Sequence, residues 1–209
     1  MALTKVLTGG IALDAVDNTI LKLDDNYALT GTITGAGGLV KLAKTTVSSA
    51  TALVAFNNSI ITSAYDNYHI TLQNVVPAAN NTDLRARCSV DNGSNFIDHE
   101  CSLSYFQTNG NDTGRFNART SIMITEDEDD DAARGINGDI TLFGVNGSTT
   151  KDVLSHGFTS NGGTVTNQYA YQGFTAIDTT SVINYIKIFG DQNIAAGIFT
   201  IYGIAKWNT

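Results

Sequence analysis

Six adjacent carboxylates, Glu126-Asp127-Glu128-Asp129-Asp130-Asp131, are the densest chemistry in this chain of 209 residues. Asp127, Asp129 and Asp131 fall at the first, third and fifth positions of a calcium-loop pattern, whose alternate side chains turn toward one cation. The rest of the pattern is missing. Ala132 stands where the loop needs a glycine for its sharp turn, and Gly138 where it needs a bidentate glutamate. Three readings stay open: an irregular calcium site on Asp127, Asp129 and Asp131, a solvated acidic loop, or a loop that docks on a basic partner.

The other reactive side chains are scattered. His69, His99 and His156 have no close spacing of the kind that builds a zinc site. His99 and Cys101 would share one face of a strand, with Glu100 on the other. A Cys–His nucleophile also needs an orienting group and an oxyanion hole, and no motif supplies either. Asp98 and Glu100 would stand about 6–7 Å apart on one strand face, within reach of a glycosidase pair. Such pairs are common in strands, and no aromatic platform neighbours this one. The clusters Gly9-Gly10 and Gly35-Ala36-Gly37-Gly38 lack the lysine and helix of a phosphate cradle. Tyr169, Tyr171 and Phe174 suit either a glycan-stacking patch or core packing. The expectation is a protein with no catalytic residues and no cofactor, calcium being the one ligand left open.

The elements that carry these residues read as strands. Charged residues are 15% of the chain, with 20 glycines, one proline and frequent Asn, Thr and Ser. That is the balance of an all-β protein with many tight polar turns. Alternation places Tyr68, Ile70 and Leu72 on one face, and likewise Leu84, Ala86 and Cys88, then Cys101, Leu103 and Tyr105. Shorter strands are expected over residues 39–44, 51–56, 121–125, 138–143, 152–159 and 168–174. Pairs such as Asn92-Gly93, Asn109-Gly110, Asn137-Gly138 and Asn146-Gly147 punctuate them. The spacing predicts an antiparallel β-sandwich of jelly-roll type with an extended N-terminal anchoring segment.

The last stretch, residues 181–205, is expected to be a hairpin turning between Gly190 and Gly197. Both its faces are apolar: Val182, Ile186 and Ile188 oppose Ile183, Tyr185 and Phe189. A strand greasy on both sides belongs in the centre of a sandwich or at an interface. In the leader, Leu13, Val16, Ile20 and Leu23 recur at spacings of three and four, a short stripe suited to self-association. Residues 19–23 also read as an extended strand. The expected division is an anchoring and oligomerisation segment over residues 1–60 and a sandwich body over 61–209. The isolated protein is expected to be a trimer held by residues 1–40 and part of the terminal hairpin.

Cys88 and Cys101 are read in neighbouring strands. With a turn at Asn92-Gly93, Cys88 faces Ile97 and the sulfurs are too far apart to bond. A longer loop would bring them opposite each other. Two buried thiols suit a protein made in a cytoplasm.

The net charge of −8 argues against nucleic-acid wrapping. No apolar run reaches the roughly 20 residues that span a bilayer, and the start lacks the apolar core of a secretory signal.

Several strings resemble those of bacteriophage virion surface proteins. They are Ala64-Tyr65-Asp66-Asn67-Tyr68, Leu72-Gln73-Asn74-Val75, Ile140-Thr141-Leu142-Phe143, and Asn193-Ile194-Ala195-Ala196-Gly197 running into Ile201-Tyr202-Gly203-Ile204. The opening Met1-Ala2-Leu3-Thr4-Lys5-Val6 is similar to fibre-type starts. The resemblance covers roughly residues 60–209. It implies a non-enzymatic homotrimer on the virion surface, assembled in the bacterial cytoplasm. A capsid decoration or head fibre would contact the major capsid or other virion proteins through its N-terminal segment. A short tail fibre or an adhesin for host surface glycans is the alternative.

Overall fold

The computed structural model describes residues 38–108, 113–128, 135–160 and 168–205, with the backbone alone at 113–119, 127, 128 and 160. Its strands are β1 (Leu39–Val47), β2 (Thr51–Phe56), β3 (Asn67–Pro77), β4 (Thr82–Ser89), β5 (His99–Gln107), β6 (Thr113–Arg119), β7 (Ile122–Glu128), β8 (Ile136–Phe143), β9 (Lys151–Ser160), β10 (Gln168–Ile177) and β11 (Tyr185–Ile204). There is no helix among the described residues. Every strand pairing is antiparallel, so the chain is an all-β protein.

The strands form one sheet in the order β6-β5-β10-β9-β8-β3-β11-β4-β7, with β1 and β2 also on β11. β11 is its axis. Where a hairpin is expected, residues 185–204 form a single strand of 20 residues. On one side β1 and β2 run along it in succession, on the other β3 and β4. The glycine-bounded segment marks a crook rather than a turn. Gly190 still pairs with Leu84 of β4, while Ile194 pairs with Pro77 of β3. On the β2 side, Phe189 pairs with Leu53 and Ile194 with Thr51, so residues 190–193 bulge opposite Ala52 alone. A hairpin would give each arm one partner within the segment. The straight strand gives each arm two partners from elsewhere in the chain, and that pairing overrides the local turn preference. Gly197 sits at φ 147° with its Cα 's missing side chain facing Val75, a position an L side chain rarely adopts.

The inner faces follow the alternation. Tyr68, Ile70, Leu84, Ala86, Cys88, Ile140, Leu142, Ile186, Ile188, Phe199 and Ile201 are buried in one core. A second cluster joins Cys101, Leu103, Met123 and Tyr171. It forms because the sheet curls back into a near-closed barrel and lays β7 across β5, β10 and β9. Ser155 donates to the carbonyl of Met123 at 2.5 Å, Tyr171 to that of Glu126 at 2.8 Å, and the amide of Met123 to the sulfur of Cys101 at 3.5 Å. β7 is therefore buried on both faces: Ile122, Met123 and Ile124 are all sealed from water.

Candidate functional site

The cores above use the odd positions of β10, namely Tyr171, Gly173, Thr175 and Ile177. The even positions, Gln172, Phe174 and Ala176, face water. Tyr171 is buried and Tyr169 packs beside it, stacked at 5.8 Å between ring centres. The two tyrosines thus do not join Phe174 in one patch. The parity of the strand separates them.

Phe174 has other company. The register places Ala170 of β10 between Phe106 of β5 and Phe158 of β9. Phe106, Phe158 and Phe174 are 61%, 53% and 52% exposed. Phe106 and Phe158 stand two strand spacings apart, about 10 Å. One row along, the outward side chains are Ser104, Gln172, His156, Asp139, Thr71 and Lys44, with Thr200 buried among them. In the next row Phe174 is followed by Leu154, Thr141, His69, Tyr202 and Lys41. A further row carries Phe143, Asn67, Ile204 and Leu39, with Leu39 52% exposed. Apolar rings at this density on one face exceed the scattered hydrophobes of an ordinary soluble surface.

Polar contacts fix the middle of the face. The Nδ1 atom of His156 lies 3.3 Å from both carboxylate oxygens of Asp139. His69 Nδ1 meets the hydroxyl of Thr141 at 2.9 Å. These two histidines are on the outward side, and His99 is inside. The charges at the ends differ in sign. Lys41 and Lys44 are exposed on β1, and Glu100 and Asp152 are exposed on β5 and β9, flanking Ala176.

A groove of about 620 Å³ opens at the same end as Glu100, lined by Asp98, His99, Glu100, Thr120, Thr150, Ala176 and Asp178. Asp98 and Glu100 both line this groove, but β5 begins at His99 and leaves Asp98 outside the strand. Asp98 is committed to Arg87 at 2.9 Å. Among the described residues no three His, Cys, Asp or Glu side chains converge as metal ligands. The backbone of Asp127 lies in β7, one residue before its end at Glu128, while Asp129 and Asp131 lie outside the described residues, as do Leu13, Val16, Ile20 and Leu23.

His99 and Cys101 both point inward, and each is occupied. His99 Nε2 accepts the amide hydrogen of Cys88 at 3.2 Å, and Cys101 accepts that of Met123. The expected hairpin of β4 with β5 stops after one pairing: Asn92 and Gly93 turn the chain with positive φ, and the amide of Ile97 reaches the carbonyl of Cys88 at 3.1 Å. β5 then leaves to pair with β10 and β6. The two cysteines end in different clusters as free, buried thiols. Burial pushes the Cys88 thiol up to about 12. The folded protein is therefore expected to resist iodoacetamide at pH 8 over hours, whereas the denatured chain takes up two equivalents. Mass spectrometry showing rapid labelling of Cys88 in the folded state would contradict its burial.

A second aromatic feature surrounds β4. The ammonium of Lys187 sits 3.8 Å from the ring centre of Phe96 and 4.8 Å from that of Phe189. Arg87, its register partner, lies 5.6 Å from Phe96. Arg85 is held by Asp83 and Asp191. This side of the sheet thus pairs its arginines with carboxylates, although the Nε atoms of Arg85 and Arg87 are buried without a hydrogen-bond partner among the described residues, and Phe96 packs on Lys187 and Arg87.

In comparisons with known proteins, no family pattern matches the chain and no curated protein matches it.

Proposed function

We propose that the chain is a non-enzymatic structural protein of a bacteriophage virion surface, acting as a homotrimeric capsid decoration or head fibre. The observation that carries this reading is the outward sheet face with Phe106, Phe158 and Phe174 half exposed. A body of this kind buries such a face against copies of itself or a neighbouring coat protein. The strand pattern is read as a jelly-roll-type sandwich whose smaller layer is β2, β4, β7 and the first half of β11. The part of residues 1–60 that precedes β1 would supply the anchor to the major capsid or other virion proteins, since β1 and β2 belong to the sheet of the body. The net charge of −8 suits a surface exposed to solvent rather than one that holds nucleic acid.

The same exposed rings favour a second reading, a short tail fibre or adhesin that stacks host glycans. Gold-labelled antibody against the chain, applied to particles of the phage that encodes it, separates the two. Capsid labelling is the expected result. Signal on tails alone supports the second reading, and unlabelled particles overturn both.

A further inference from the structure

We propose that the outward face of β1-β11-β3-β8-β9-β10-β5 is the contact between copies of this chain, with Lys41 and Lys44 of one copy set against Glu100 and Asp152 of the next. This rests on the self-assembling reading above and says which surface and which pairing perform it.

Three observations converge. First, the apolar groups are spread over the whole face rather than gathered in a pocket. Phe106, Phe158 and Phe174 occupy the β5-β10-β9 end, and Leu39, Ile204 and Tyr202 the β1-β11 end. The groove of Asp98 and Asp178 includes none of the three phenylalanines. The outer side of the curled sheet presents these groups to neighbouring copies, and side chains of this size fill the centre of a subunit contact.

Second, the ends carry opposite charge. Lys41 and Lys44 project from β1, while Glu100 and Asp152 project from β5 and β9. Around a threefold axis the acidic end of each copy meets the basic end of the next, which matches potentials at both rims of every face. A copy placed basic over basic meets repulsion. The charges therefore select one orientation of the partner and reject its reverse.

Third, the other outward surface leaves less apolar area open, with Leu53 of β2 as an exposed hydrophobe at 38%. Beside β4 and the first half of β11, Phe96 lies over Lys187 and Arg87, and Asp98 and Asp191 hold the arginines. The two surfaces differ in what they leave exposed, and the large sheet is the one that carries unsheltered rings.

Native mass spectrometry of the full chain at micromolar concentration tests the proposal, with far-ultraviolet circular dichroism as the check on folding. The wild type is expected to assemble. Phe158→Glu with Phe174→Glu is expected to raise the dissociation constant by about 100-fold or more, as loss of central anchors does. Lys41→Glu with Lys44→Glu is expected to raise it by about 10-fold. Adding Glu100→Lys and Asp152→Lys to that pair is expected to restore it to within about threefold of the wild type. Because these four positions are exposed, the charge series keeps the test intact even if the phenylalanine variant does not fold. Assembly unchanged in the folded phenylalanine variant, or charge reversal without rescue, overturns the proposed face while the homotrimer reading stands. A dimer that follows the predicted variant pattern keeps the face and removes the trimer. A wild type that stays monomeric overturns both.

Discussion

Alanine at Gly157 or Gly173 is expected to destabilise the fold by about 3 kcal/mol, although it adds a single methyl group. Both glycines lie where β7 crosses the inner side of β9 and β10. A Cβ on Gly157 would sit 2.5 Å from the carbonyl oxygen of Ile124 and would also strike the methyl of Thr125. A Cβ on Gly173 would sit 2.9 Å from the carbonyl oxygen of Met123 and would strike the hydroxyl of Ser155. Carbonyls cannot rotate away as side chains do, so β7 itself has to lift. Lifting it breaks the Ser155 and Tyr171 bonds to its backbone and loosens Ile122, Met123 and Ile124, which are packed on both sides. For a domain of this size the loss corresponds to a melting temperature lower by about 10 °C. Gly38→Ala is the matched control, since its Cβ would meet nothing within 4 Å. Thermal melts of the three variants decide the matter. If Gly157→Ala and Gly38→Ala melt together, the close crossing of β7 is wrong.

That crossing shows where the sequence stops being informative. Alternation marks which residues of β3, β4, β5 and β8 face inward, because an apolar side chain every second residue is a local property of the strand. Tyr68, Ile70, Leu84, Cys88, Leu103 and Ile140 are all buried as that period demands. Parity alone also separates Tyr171 from Phe174, which stand three residues apart on one strand and so face opposite ways. β6 (Thr113–Arg119) carries no such period: Thr113-Gly114-Arg115-Phe116-Asn117-Ala118-Arg119 reads as loop, and its strand state comes from the neighbouring edge of β5. β11 fails in the opposite way. Its glycines and Asp191-Gln192-Asn193 are sound turn residues, but four long-range neighbours hold the chain straight through them. The Phe106, Phe158 and Phe174 face is invisible in any one stretch, since it exists only when β5, β10 and β9 are adjacent and in register.

Acid is expected to weaken the fold in two separate steps, the first of them set by His99. Its ring is buried at 3% exposure, and Nε2 spends its lone pair on the amide hydrogen of Cys88. A second proton would place a charge in the core and break that bond. Burial first, and the nearby Arg87 guanidinium second, depress its pKa to about 4, against the weaker opposing pull of Asp98. The unfolded chain binds the proton near the ordinary histidine value of about 6.5. Above that value neither state is protonated at this site, and the fold keeps its full stability. Between about 6.5 and 4 the unfolded state holds more proton than the folded one, so stability falls as the pH falls. Below about 4 both states are protonated and this group adds no further loss. The gap corresponds to roughly 3 kcal/mol. Asp91 acts at lower pH: hydrogen bonds from Ser89 and Asn95 hold its carboxyl down to about 2, and its contribution disappears only as the pH falls from its ordinary range toward that value. Urea unfolding at pH 7.5 and pH 4.5 isolates the histidine step. His99→Gln keeps an acceptor for the Cys88 amide and removes the titration, so it is expected to start less stable at pH 7.5 and to change little by pH 4.5. The wild type is expected to lose most of the 3 kcal/mol over the same interval. An equal loss in both proteins would assign the acid step to another group, because a glutamine cannot take up the proton on which the whole effect depends.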